Sequence, residues 1–195
     1  MRFRGLVAAA TLVSLPLLAH ADSFTYYVAQ NFDAFSVSGT ITTDIDSGVV
    51  RTADITRYDL VVSDGLNTLD LTTKDSHEAV FDSLRTLVTA TPAGLFFDFG
   101  NSHRDTFLFQ SPDIGAGINY LCFQGLQGGC DDNAGPHEST RIGGDGQRVQ
   151  VFSGKVEFAS TSPPPVTTPE PEDFILVGTG LFGLVGVARL KLHAK

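Results

Sequence analysis

Residues 35–65 read FSVSGTITTDIDSGVVRTADITRYDLVVSDG, and the order of apolar and polar positions in them decides what kind of fold the chain can form. Phe35, Val37, Ile41 and Thr43 fall on one side of an extended backbone, and Ser36, Ser38, Thr40 and Thr42 on the other. Successive side chains of a strand point to opposite faces, so this period of two describes a strand with one face buried and one wet. Asp44 to Gly48, DIDSG, is a turn signal, after which Tyr58, Leu60 and Val62 alternate in the same way until Asp64-Gly65 marks another reversal. The stretch therefore predicts antiparallel strands joined by tight turns.

The same reading extends outward. NTLDLTT follows directly, and RTLVTA and LFFDFG flank Thr91-Pro92-Ala93-Gly94, where Pro at the second position and Gly at the fourth suit a type I turn, so the flanks should pair as a hairpin. DTFLFQ and NYLCFQ read as further strands. QRVQVFSGKVEFAST supplies the last one or two, with Val149, Val151, Val156 and Phe158 on the alternating apolar positions. No window carries a helical stripe. About eight to ten short strands separated by Gly, Asp, Asn and Pro predict an all-β fold, an antiparallel β-sandwich or flattened barrel. Of 15 Phe, 12 lie between residues 22 and 161, and most should form the core between the sheets.

That body, residues 22–161, holds 8 Lys and Arg against 19 Asp and Glu, a formal charge of −11. Such a surface repels a polyanion, so nucleic acid is not an expected partner. Most of the acids are Asp, which favours turns through its own backbone hydrogen bonds. Cys122 and Cys130 enclose FQGLQGG, a Gly-rich interval able to fold back on itself, and a disulfide between them suits a secreted chain. A two-cysteine metal site is the weaker reading, since no second Cys pair or adjacent His completes a tetrahedral shell. The segment from Gly125 to Arg148 carries few apolar residues and is the longest irregular region in this reading, either a binding loop on a rigid sandwich or plain disorder.

Catalytic patterns are scarce. Gly100 to Arg104, GNSHR, comes nearest to a hydrolase nucleophile elbow but ends in Arg and lies between strands. His77, His103 and His137 show no zinc-binding spacing and read as exposed loop residues. Glu138 and Glu157 are the rarer long acids, yet glycosidase chemistry needs two carboxylates facing each other across a cleft, and an acid-rich chain always offers pairs. Calcium takes oxygen ligands from loops, which makes Asp131, Asp132, Asn133 and Glu138 the candidate set, with Asp44 and Asp46 a second; neither follows the EF-hand pattern. No other cofactor is expected.

The two ends are of different material. Arg2 and Arg4, an apolar run from Gly5 to Leu18, and Ala19-His20-Ala21 read as a signal peptide over residues 1–21, cut by signal peptidase before Asp22. Residues 162–172, rich in Pro and Thr, cannot pack a core and read as an extended stalk. Residues 173–195 combine an apolar run, Phe174 to Ala188, with Arg189, Lys191 and Lys195. At roughly 1.5 Å per residue this run makes a short transmembrane helix, the bases lying on the cytoplasmic side.

Pro169-Glu170-Pro171, the Gly-rich apolar segment and the basic tail, in that order, resemble the PEP-CTERM sorting signal of Gram-negative bacteria. The resemblance implies recognition by an exosortase, a membrane-embedded processing enzyme, transient residence in the inner membrane, and export to the cell surface or extracellular matrix. The body is also similar to domains that precede this signal, through SGTITTD, DITRYDLVVSDG, LFFDFG, FLFQ and the later Cys. The expectation is a non-enzymatic exported surface or matrix protein. The alternatives are a carbohydrate-binding module for exopolysaccharide and, behind it, a polysaccharide-active hydrolase.

Overall fold

A computed structural model describes residues 22–82, 86–115, 118–130, 135–144 and 146–165. The signal peptide, most of the stalk with its Pro169-Glu170-Pro171 motif, and the sorting helix with Arg189, Lys191 and Lys195 lie outside the described residues.

The strands run in chain order as β1 (Phe24–Asn31), β2 (Ser36–Thr43), β3 (Gly48–Val49), β4 (Ile55–Ser63), β5 (Thr68–Thr72) and β6 (His77–Phe81). They continue as β7 (Val88–Ala90), β8 (Gly94–Asp98), β9 (Thr106–Ser111), β10 (Asn119–Gln124), β11 (His137–Arg141), β12 (Arg148–Val151) and β13 (Lys155–Ser160). A single 3-10 turn, Thr52–Asp54, leads into β4, and among the described residues no helix is long and apolar enough to cross a membrane. Eight strands form a large sheet in the order β3-β7-β8-β13-β1-β2-β4-β5, and five form a small sheet in the order β12-β11-β10-β9-β6. Every described pairing is antiparallel.

The alternation of the opening stretch becomes register here. Val37 lies opposite Val62 and Ile41 opposite Tyr58 across β2 and β4, and all four are buried. Gly39, at φ +135°, sits opposite Leu60, where an added Cβ would run into the Asp59 carbonyl oxygen; only Gly lets the two strands approach there. The β7–β8 hairpin forms as expected, with the Thr91 N–H donating to the Gly94 carbonyl at 2.9 Å. At the β4–β5 turn the Asp64 carboxylate accepts the N–H groups of Leu66 and Asn67 at 3.0 and 2.7 Å, and these backbone bonds hold its pKa below the ordinary value.

The sheets pack face to face as a β-sandwich. Phe123 of β10 is its hub, with ring centroids 5.6 Å from Phe97 of β8 and 5.0 Å from Phe158 of β13; Tyr58 meets Phe109 of β9 at 4.9 Å. Most phenylalanines of the body are thus core residues, and Phe81, 49 % exposed, is the aromatic ring among the exposed large hydrophobics.

Two expectations need correction. Residues 137–141, expected within a long irregular region, form β11, because β10 presents a full ladder edge that His137 to Arg141 complete by pairing with Tyr120 to Gln124. Val149 and Val151 alternate as expected but point outward, 37 and 69 % exposed. β12 is an edge strand whose inward positions are Arg148 and Gln150, opposite Thr140 and Glu138, so its apolar side faces away from the core. Period two identifies the two faces of a strand but not which one is inside.

Candidate functional site

Between β10 and β11 the described residues 125–130 and 135–136 are tied back to the small sheet. Cys122 and Cys130 are joined, with Cα atoms 5.9 Å apart, so the chain leaving β10 doubles back over the outer face of the small sheet. Gly129, at φ +147°, lies where a Cβ would collide with the Thr106 methyl of β9, a contact that seats the loop against that face. The amide of Gln124, fully buried at the end of β10, spans the loop: its Oε1 accepts the Cys130 N–H at 2.9 Å and its Nε2 donates to the Gly135 carbonyl at 3.0 Å. His137 is drawn into the same cluster, with Nδ1 at 3.2 Å from Gln124 Nε2 and 3.1 Å from the Gly135 oxygen. It is 3 % exposed, where an exposed loop histidine was expected. His77 is exposed on β6 beside Asp113, at 3.0 Å, and His103 lies in the loop before β9.

Under this cover β11 is buried on both faces. His137 and Ser139 lie beneath the loop, while Glu138 points between the sheets. The Glu138 side chain is fully buried and meets Gln30 of β1, whose Nε2 donates to Glu138 Oε2 at 2.9 Å. Gln30 Oε1 and Glu138 Oε1 are both buried without a hydrogen-bond partner. Burial pushes the Glu138 carboxyl up to about 8, and the Gln30 bond opposes only part of that rise. Of the candidate calcium set, Glu138 therefore sits on a strand facing the core, and Asp131, Asp132 and Asn133 lie outside the described residues. Among the described residues no group of three or more His, Cys, Asp or Glu is gathered as for a metal ion.

A second acid lies between the sheets at the far edge. Glu78 of β6 is raised, first by burial, and interacts with Tyr58, whose own hydroxyl is pushed up to about 12 by burial and donates to Ser76 Oγ at 3.4 Å. β9 and β10 separate β6 from β11, three ladder spacings that put the two acids on the order of 14 Å apart. Opposed glycosidase carboxylates are about 5–9.5 Å apart, so this pair does not have that geometry. Glu157 is exposed on β13 while Glu138 faces inward, so these two do not meet either.

An open cleft of about 290 Å³ lies along Val49, Val50, Arg51, Thr52, Val80 and Asp82, bridged by the Val80 N–H donating to Thr52 Oγ1 at 2.8 Å. Nothing in the sequence pattern marked it. The Gln30–Glu138 pair had one signal: Tyr26, Val28 and Gln30 share the parity of the buried face of β1, so an amide stands where an apolar residue would be expected.

No family model, no curated protein and no solved structure matches this chain.

Proposed function

We propose that the protein is a non-enzymatic exported β-sandwich, delivered to the cell surface or extracellular matrix through a PEP-CTERM-type signal. The observation that carries this reading is the order at the C-terminus: Pro169-Glu170-Pro171, the apolar run Phe174 to Ala188, then Arg189, Lys191 and Lys195. In this account signal peptidase removes residues 1–21, the apolar segment pauses the chain in the inner membrane, and an exosortase cuts near the Pro-Glu-Pro motif. The Cys122–Cys130 bond supports the reading from a separate part of the chain, because structural disulfides form in oxidising compartments. Exopolysaccharide is the partner such a matrix protein would meet.

The test compares an exosortase-deficient strain with its parent. Loss of the enzyme should leave the C-terminal peptide attached and hold the protein in the inner membrane fraction. The same mature mass and the same location in both strains would contradict the proposal.

A further inference from the structure

Among the described residues Glu138 is the one acid that the fold encloses completely, and its position is not explained by the export signal. It bridges the sheets through a single bond to Gln30, and the two oxygens left over, Glu138 Oε1 and Gln30 Oε1, are both acceptors with nothing to accept. A carboxylate and an amide carbonyl each left with an unsatisfied oxygen in one buried pair are costly in a dry interior. One proton removes the difficulty: a neutral carboxyl accepts from the Gln30 amide with one oxygen and offers an O–H to an amide oxygen with the other.

The surroundings supply no alternative charge balance. On β10 the neighbour on the same face is Phe123, and on β12 it is Gln150. The cation on that face of β12 is Arg148, two pairs further along the ladder and facing Asp64 at 3.8 Å. On β1 and β2 the inward residues beside Gln30 are Val28 and Val37. His137 points to the opposite side of β11, into the loop cluster. Among the described residues no cation lies within ion-pair distance of Glu138.

We propose that Glu138 is a proton-operated clasp: neutral, it ties β11 to β1 through Gln30, and on losing its proton it loosens the two sheets at that end of the sandwich. The sign follows from the direction of the shift. An acid whose folded-state value lies above its unfolded value gives stability that is fully present at low pH. That stability falls away as pH rises from the unfolded value, 4.5, towards about 8, where the native group also ionises.

The experiment is urea unfolding of the full chain in detergent between pH 5 and pH 8, wild type beside Glu138→Gln, which keeps the shape and cannot ionise. The wild-type unfolding constant should rise relative to that of the variant on the order of a few hundredfold across this range. Parallel pH profiles for the two proteins overturn the proposal. If the variant does not fold, infrared spectroscopy of Glu78→Gln labelled at Glu decides, since Glu78 is the other glutamate that burial raises. A protonated-carboxyl stretch at pH 6 that fades above pH 8 supports the clasp, and a fully ionised spectrum at pH 6 overturns it.

Discussion

The large and small sheets are made of similar short strands and share one aromatic core, yet their outer faces differ. On β4 the outward Arg57, Asp59 and Val61 are exposed, and from Arg57 to Val62 the strand alternates wet and buried. On β11 four successive residues, His137 to Thr140, are buried, because the disulfide-pinned loop covers the outer face while Phe123 and Gln30 cover the inner one. The difference shows that a covered second face changes the meaning of polarity. Polar residues on β4 report contact with water. On β11 they report a largely hydrogen-bonded interior, in which a group left without a partner, such as Glu138 Oε1, is costly.

Substitutions can break or sharpen this contrast. Phe123→Ala should have the largest effect, a loss of about 3–5 kcal/mol in chemical denaturation, because its ring touches strands of both sheets. Both sheets should melt together in that variant; a large sheet that persists alone would break the picture of a shared core. Replacing Cys122 and Cys130 together by Ser should cost about 2–3 kcal/mol, with hydrogen exchange rising first at residues 125–130 and 135–139 and least on β2 and β4. Uniform acceleration everywhere would mean that the loop does not protect the small sheet selectively. Gly129→Ala should cost about 1–2 kcal/mol through its backbone conformation and the Thr106 contact, again with exchange rising on the small sheet. Val151→Lys should move stability by no more than about 0.5 kcal/mol, since that side chain is already in water. A larger loss would show that the outer face of β12 is covered by something.

These differences also explain what could be read in advance. Strands β2 and β4 were legible because one face is wet, and the β7–β8 hairpin because Pro92 and Gly94 mark its turn. The pairing of Cys122 with Cys130 followed from a short Gly-rich interval. β11 was not legible: HESTR contains no apolar side chain, and it becomes a strand through the ladder offered by β10 and the loop folded over it. For β12 the period was right and the face reversed, since edge position and the inward pairing of Arg148 and Gln150 are tertiary facts. The Gln30–Glu138 contact joins residues 108 apart in sequence, beyond the reach of any local pattern.

The central claim, an oxidised sandwich trimmed at both ends during export, is tested most directly by intact-mass measurement of the protein recovered from its native envelope. The account predicts one mass that begins at Asp22, ends near Pro169 to Pro171 and is lower by two hydrogens for the Cys122–Cys130 bond. A mass or peptide map that runs unbroken into Lys195 at the cell surface would contradict it.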